Sequence, residues 1–145
     1  MNWPEEIRIK VLQTAKNKNV GNIVLFVTVL APRKNNYSLG LFMTDKNNEI
    51  VIKKKKIKNK IEETNRDYPM DYSESLETCD MGIEINLPTR HSFSSRIHAA
   101  DPFYPETTKK YKTILKGDGI FAKKDITYIV TPAELNKSIV INVEK

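Results

Sequence analysis

Apolar residues occupy every second position in much of this chain, and this alternation is typical of β-strands with one buried face. The first alternating segment contains Ile7, Ile9 and Val11, with charged residues between them. Residues 22–30 are apolar on both faces, so we expect a central strand there that ends before Pro32. The same alternation predicts further strands at residues 37–43, 49–52, 81–87, 126–130 and 138–143.

Helical patterns are confined to two short segments. Ile57 and Ile61 stand four residues apart among helix-forming residues, so residues 54–65 are predicted to form a short amphipathic helix. The sequence TPAE at residues 131–134 has the pattern of a capping box and predicts one or two helical turns. Elsewhere we expect an ordered loop at residues 67–78, an extended or turning segment at 89–112 and a hairpin at 114–122.

This pattern predicts an all-β fold. Seven or eight short strands with one or two short helical insertions are typical of a single antiparallel Greek-key β-sandwich, either prealbumin-like or immunoglobulin-like. The chain has 145 residues, which is the usual length of one domain, and it contains no repeat and no low-complexity segment. We therefore expect residues 1–145 to form a single β-sandwich domain.

Residues 19–52, NVGNIVLFVTVLAPRKNNYSLGLFMTDKNNEIVI, resemble the β-sandwich repeat of prealbumin-like (transthyretin-like) and carboxypeptidase regulatory-like domains. In those domains a glycine precedes a long apolar strand. A second strand then ends in Thr-Asp, before a glycine-containing turn and a short Ile or Val strand. Asn48 stands where these families usually have glycine, and asparagine tolerates a left-handed turn. The matching positions in this chain are Gly21, Thr44, Asp45 and Ile50.

The resemblance implies the β-sandwich fold and no particular activity, because one fold hosts many functions. The hydrolase members of the transthyretin-like group end in a Tyr-Arg-Gly-Ser motif. This chain ends in INVEK at residues 141–145, so we do not expect that activity.

The composition is that of an ordinary globular protein, with 39% hydrophobic and 29% charged residues. The sequence has one cysteine, Cys79, which excludes an internal disulfide. The N-terminal sequence MNWPEEIRIK has no basic region followed by an apolar one, so we expect no signal peptide if Met1 is the natural start. The longest apolar run, residues 23–27, is far too short to span a bilayer. We therefore expect a cytoplasmic protein without a membrane span.

Six lysines within residues 53–60 give the chain its basic character, because its formal net charge is +6. In the following segment, residues 62–84, every charged residue is acidic except Arg66. Three interpretations of the lysine run remain open: a solvated helix face, a contact with nucleic acid or an anionic membrane, and a protein-docking surface. Base-stacking proteins usually interleave aromatic residues and arginines with their lysines, and this run has neither. The candidate binding residues of the run are Lys53, Lys55, Lys56 and Lys60.

Aromatic residues and prolines concentrate in the two segments that are predicted to be irregular. Aromatic side chains on loops of a rigid sandwich often bind peptides, sugars or other proteins. The alternative is that these side chains close the open ends of the sandwich. The candidate binding residues of these segments are Tyr68, Tyr72, Phe103 and Tyr104.

The sequence contains few residues suited to catalysis or metal binding. His91 and His98 stand seven apart in a predicted loop or strand, where an odd offset puts them on opposite faces. Cys79 lies between Glu77 and Asp80, which raise the pKa of a thiol rather than lower it. Gly117 and Gly119 fit a hairpin turn better than a phosphate-binding loop. We expect no cofactor, no metal site and no catalytic residue.

These observations favour a non-catalytic module that binds another protein or a ligand through loop aromatic residues and a lysine-rich ridge. One alternative is a nucleic acid-binding protein that contacts its ligand through residues 53–60. Another is a small-substrate enzyme without a recognisable motif. The sequence does not predict the oligomeric state.

Overall fold

The structure, a computed structural model, describes residues 2–13, 20–33 and 35–143. Residues 19 and 34 of the stretch that resembles prealbumin-like domains therefore lie outside the described residues. The strands are β1 (Glu6–Gln13), β2 (Val24–Val29), β3 (Tyr37–Met43), β4 (Glu49–Lys53), β5 (Ile83–Leu87), β6 (Ile126–Val130) and β7 (Ile139–Val143). The helices are α1 (Lys54–Asp67), α2 (Arg90–Ala100), α3 (Pro105–Lys116) and a short 3-10 helix (Pro132–Glu134).

The strands form two sheets. The small sheet has the order β4-β1-β7, and the large sheet has the order β3-β2-β5-β6. The large sheet is antiparallel throughout. In the small sheet β1 is antiparallel to β4 but parallel to β7, with Ile9 opposite both Ile50 and Ile139. The prediction of an entirely antiparallel fold is therefore wrong. The chain leaves the large sheet after β6 and enters β7 in the same direction as β1.

The first hydrophobic core contains side chains from both sheets. Ile7, Ile9 and Val11 of β1 are buried, together with Val27 of β2 and Ile85 of β5. The strands β1 and β5 were predicted from alternating apolar and polar residues, and β2 from a run that is apolar on both faces; all three strands are confirmed. Burying a side chain of this size contributes about 1.5–3 kcal/mol, so this row of side chains also fixes the register of the strands.

The second core lies on the other face of the large sheet. Val24 of β2 is buried against Phe93 and Ile97 of α2 and Ile114 of α3. Because helices cover this face, β2 is apolar on both sides. The all-β prediction is therefore wrong: the fold is mixed α/β, with helices of 14, 11 and 12 residues.

The missed helices occupy the segment that was predicted to be extended. Pro105 does not break a helix but begins α3 at its first position, where proline is well tolerated. Thr89 caps α2 by accepting a hydrogen bond from the backbone N–H of Ser92. The hairpin predicted at residues 114–122 is also wrong, since residues 114–116 complete α3 and Ile120 makes an isolated parallel bridge to Ile23.

The predicted lysine-rich helix is confirmed as α1. Its apolar residues Ile57 and Ile61 are both buried in the first core. α1 packs against β3 and β4, which are edge strands of different sheets, and so it joins the two sheets along one side. Asn48, in the turn before β4, has the left-handed backbone expected from the sequence, with φ of 63°. None of the helices in the described part of the chain has the length and apolar character of a membrane span.

Candidate functional site

The two segments that carry the candidate aromatic residues meet at one end of the molecule. We call the surface formed by Tyr68, Tyr72, Phe103 and Tyr104 the aromatic end. Tyr68 and Tyr72 follow α1, and Phe103 and Tyr104 lie in the turn between α2 and α3. The Tyr68 and Tyr104 side chains are neighbours, and the charge of Tyr104 is the main cause that raises the pKa of Tyr68 above its usual value.

The aromatic end rests on a buried tyrosine. Tyr37 of β3 donates a hydrogen bond to the Asn65 side chain and accepts one from the backbone N–H of Glu74. The Tyr37 and Tyr72 ring centroids are 5.0 Å apart, and those of Tyr72 and Tyr68 are 6.4 Å apart. Tyr37 therefore anchors the loop after α1 to the large sheet. Its place in this row of rings was not predicted, because it lies in a strand far from the loop in sequence.

The turn that carries Phe103 and Tyr104 is held by a second set of contacts. The backbone N–H groups of both residues donate hydrogen bonds to the Ala100 carbonyl. The Asp101 carboxylate accepts hydrogen bonds from the Thr108 hydroxyl and from the Lys112 ammonium. The hydrogen bond from Lys112 is the main cause of the lowered pKa of Asp101. These contacts fix the turn at the start of α3.

Exposure differs among the four aromatic residues. Phe103 is 77% exposed, Tyr104 57% and Tyr68 52%, whereas Tyr72 is half-buried between its neighbours. Tyr72 therefore supports the surface and contributes less of it. Met70, in the same loop, is 95% exposed and was not predicted. Its position between two candidate tyrosines was the available signal.

Three of the candidate lysines lie on one flank of α1, and the fourth, Lys53, is the last residue of β4. Lys53, Lys55, Lys56 and Lys60 line a groove of about 480 Å³ between this flank and β3. We call it the lysine groove. Its other lining residues are Leu39, Asn59 and Glu63.

Three of these lysines have partners inside the protein. Lys53 makes an ion pair of 2.6 Å with Glu6, and its hydrogen bond is the main cause of the lowered pKa of Glu6. Lys60 lies 3.7 Å from a Glu63 carboxylate oxygen. The Lys56 ammonium stands over the ring of Phe42 in β3. Within the described residues, no carboxylate is in ion-pair contact with Lys55.

The other flank of α1 faces acidic residues. Lys54 lies 3.9 Å from a Glu5 carboxylate oxygen. The pKa of Glu77 is lowered, first by a hydrogen bond from its own backbone and further by the charges of Lys58 and Lys54. The lysine run is therefore not one uniform ridge. Helical periodicity divides it into a flank beside acidic side chains and a flank that lines the groove.

The start of α1 carries an unfavourable arrangement of charge. Lys54, Lys55 and Lys56 form its first turn, which contains no acidic residue. The N-terminus of a helix bears partial positive charge, and a cation there costs typically about 0.3–1 kcal/mol at low ionic strength. The interaction of these lysines with the helix dipole therefore does not stabilise the helix.

The residues considered for catalysis are not brought together. His91 and His98 lie on α2, so their separation of seven residues places them on the same side, not on opposite faces as predicted. They are about 10.5 Å apart along the helix axis, which is too far to share a metal ion. Burial and the charge of Glu74 raise the pKa of the Cys79 thiol to about 11. Within residues 2–13, 20–33 and 35–143, no group of three or more potential ligands could hold a metal ion.

Comparisons with known proteins gave no match. No family model matches the chain, and neither a curated protein nor a solved structure is similar to it.

Proposed function

We propose that this chain is a non-catalytic interaction module that binds another protein through the aromatic end. One observation carries the proposal: the exposed side chains of Tyr68 and Tyr104 come from two distant segments and lie close together, and the exposed Phe103 directly precedes Tyr104. The surface is supported from below by Tyr37 and Tyr72. Because Tyr37 belongs to β3, the aromatic end is connected to the large sheet.

Aromatic residues suit this role for physical reasons. Tyrosine and phenylalanine bury a large area when a partner covers them, and they lose little conformational entropy because they have two side-chain torsions. The hydrogen bonds that hold the turn before α3 reduce the ordering cost further. A tyrosine hydroxyl also supplies a polar group at the rim of an apolar contact.

A comparative pull-down tests this proposal. The wild-type protein and the double variant Phe103→Ala/Tyr104→Ala are immobilised in equal amounts, and bound proteins from a cell extract are quantified. The matched control is Ile129→Ala/Val140→Ala, which removes two exposed apolar side chains from β6 and β7. Circular dichroism confirms that each variant is folded.

We expect the first variant to lose specific partners and the control to retain them. Truncation of a central aromatic contact typically costs 2 kcal/mol or more of binding free energy, about a thirtyfold loss of affinity. If the folded Phe103→Ala/Tyr104→Ala protein retains every partner, the aromatic end is not the binding surface. Equal loss in the control means that the contact is nonspecific.

The non-catalytic part of the proposal is supported by the state of the candidate nucleophile. Cys79 is buried, and its raised pKa keeps it protonated at neutral pH. We expect the triple variant Cys79→Ala/His91→Ala/His98→Ala to retain the biological activity of the protein as long as it remains folded. Loss of activity in the folded triple variant would show that one of these residues is catalytic. A cytoplasmic location is part of the same proposal, since a free buried thiol suits a reducing compartment.

A further inference from the structure

The lysine groove concentrates positive charge on one flank of α1. Four of the six lysines of the run line it, and its described lining contains one acidic residue, Glu63. The remaining two, Lys54 and Lys58, lie on the flank that faces Glu5 and Glu77. Glu6 pairs with Lys53 at 2.6 Å and Glu63 with Lys60 at 3.7 Å, so two of the four groove lysines have an acidic partner in the protein. Lys55 and Lys56 have no described carboxylate partner, and the groove as a whole carries an excess of positive charge that is complementary to an anionic ligand.

The only apolar residue in the described lining of the groove is Leu39. Leu39 is 7% exposed, and the Lys56 ammonium covers one face of the Phe42 ring. Protein partners obtain most of their affinity from aromatic or aliphatic side chains inserted into apolar pockets. The described lining contains no aromatic residue, so a nucleobase would find no ring to stack on. Recognition in this groove depends on charge.

The ligand that fits these conditions is a chain with a charge on every unit. Lys56 and Lys60 stand four residues apart on α1, so their Cβ atoms are about 5–6 Å apart, and Lys53 at the end of β4 lines the same groove. Lysine ammonium groups on flexible stems neutralise phosphates as point charges. The groove has no arginine in its described lining to read base edges.

We propose that the lysine groove binds the phosphodiester backbone of a nucleic acid without reading its base sequence. This surface is separate from the aromatic end, and the inference does not depend on the function proposed for that end. The contacts are made by Lys53, Lys55, Lys56 and Lys60. Lys54 and Lys58 make none, although they belong to the same run in the sequence.

Fluorescence anisotropy with the full chain tests this assignment. The probes are a labelled 20-nucleotide RNA and a labelled 20-base-pair DNA, both of mixed sequence, each titrated at 50 and 150 mM salt. The groove variant is Lys55→Gln/Lys56→Gln. The matched control is Lys54→Gln/Lys58→Gln, which changes the net charge of the same helix by the same amount on the other flank. Circular dichroism checks the folding of both variants.

We expect the wild type to bind both probes with a Kd of roughly 1–100 μM at physiological salt, the usual range of nonspecific binding. With four lysine contacts, the logarithm of the affinity for duplex DNA should fall with the logarithm of salt with a slope of about −3 to −4. The groove variant should bind at least tenfold more weakly at 50 mM salt. The flank variant and Phe103→Ala/Tyr104→Ala should stay within threefold of wild type.

Several outcomes overturn the proposal. Absence of binding at 50 mM salt removes it, and equal losses in the groove and flank variants show that only net charge matters. Tighter binding of a polyglutamate peptide of equal charge assigns the groove to an acidic protein segment. A tenfold preference between two unrelated probe sequences shows base readout.

If Lys55→Gln/Lys56→Gln does not fold, the single variant Lys60→Gln replaces it. We expect Lys60→Gln to bind about threefold more weakly than the wild type. Unchanged binding by this variant would contradict the proposal.

Discussion

The Nζ atom of Lys56 lies 4.6 Å from the centroid of the Phe42 ring, and this contact joins the first turn of α1 to β3. A cation–π contact at an exposed site stabilises by about 0.5–1 kcal/mol. That gain is close to the cost of a cation at a helix N-terminus. Lys56 is therefore approximately neutral for stability. Lys55, in the same turn, has the cost without a described ring or carboxylate to offset it.

Replacing Lys55 with glutamate should therefore stabilise the protein while it weakens nucleic acid binding. Lys55→Glu removes a cation from the positive end of α1 and adds an anion there. We expect the free energy of unfolding to rise by about 0.5–1 kcal/mol at low salt, and by less at high salt because of screening. Urea denaturation at two salt concentrations measures this change.

The control for this prediction is Lys58→Glu. Lys58 lies beyond the first turn of α1, and its charge favours ionised Glu77, so the variant should not gain stability. A rise of equal size in both variants would show that reduced net charge, and not the helix terminus, is the cause.

The proximity of Tyr104 to Tyr68 at the aromatic end should be visible in the titration of Tyr68. Tyr104→Phe removes the hydroxyl that is the leading cause of the raised pKa of Tyr68. We expect the pKa of Tyr68 to fall toward the usual tyrosine value of about 10. Nuclear magnetic resonance of tyrosines labelled at Cζ measures it, and Tyr68→Phe identifies the signal. An unchanged Tyr68 titration would show that the two hydroxyls do not interact in solution.

The Asp125 carboxylate at the N-terminus of α2 should make the stability of the folded protein decrease at acidic pH. The Asp125 carboxylate accepts hydrogen bonds from the Thr89 backbone N–H at 2.9 Å and from the Ser92 hydroxyl at 2.5 Å. These bonds, that from Ser92 first, lower the pKa of Asp125 in the folded protein. Its contribution to stability is therefore present above the unfolded value of about 3.9 and is lost as the pH falls through the folded pKa.

We expect Asp125→Asn to cost about 1 kcal/mol at pH 6, since the carboxylate is exposed and partly screened. The difference from wild type should shrink below pH 4. Thermal unfolding of both proteins between pH 3 and pH 7 measures it. Asp118→Asn, at an exposed aspartate in the turn after α3, is the control for the loss of one negative charge. A difference that stays constant down to pH 3 would contradict the role given to the carboxylate.

Phe93 contacts three other aromatic rings in the second core. The Phe93 ring centroid lies 5.2 Å from that of Phe121 and 6.0 Å from those of Phe26 and Tyr111. Phe93→Ala should lower the free energy of unfolding by about 3–5 kcal/mol, because it leaves a cavity between α2, α3 and the large sheet. Chemical denaturation measures this loss. The exposed Phe103→Ala should change stability by less than about 0.5 kcal/mol, and a comparable loss there would contradict its exposed position.

Sequence periodicity located the strands because each has a buried face. Ile7, Ile9 and Val11 and the alternating residues of β5 gave a clear period of two, and Ile57 with Ile61 gave α1. The apolar outer face of β2 indicated that something covers it. The identity of that cover did not follow from alternation alone, since a second sheet or a helix layer buries the same residues.

Helices α2 and α3 were missed because their signals are weak or ambiguous. α2 buries Phe93 and Ile97, and its other residues are three serines, two alanines, two arginines and two histidines, so it has little amphipathic contrast. Pro105 has the same appearance in sequence at the start of a helix and in an extended loop. The helical geometry of α2 also reverses the placement expected for His91 and His98.

The candidate residues were predicted by type, and the structure determines which of them are neighbours. Tyr68 and Tyr104 meet because α2 and α3 form a hairpin that was not predicted. Lys54 and Lys55 are adjacent in sequence but lie on different flanks of α1. Contacts of this kind depend on the tertiary fold, which one sequence pattern does not specify.

The parallel pairing of β1 with β7 sets a constraint on biosynthesis. β1 leaves the ribosome before every other described strand, and β7 leaves after them. At about 5–20 residues per second, one edge of β1 stays without its partner for on the order of ten seconds. The small sheet can therefore be completed only when synthesis has passed β7. A chain that stalls earlier presents an unpaired edge and an apolar face, which are features that chaperones and proteases recognise.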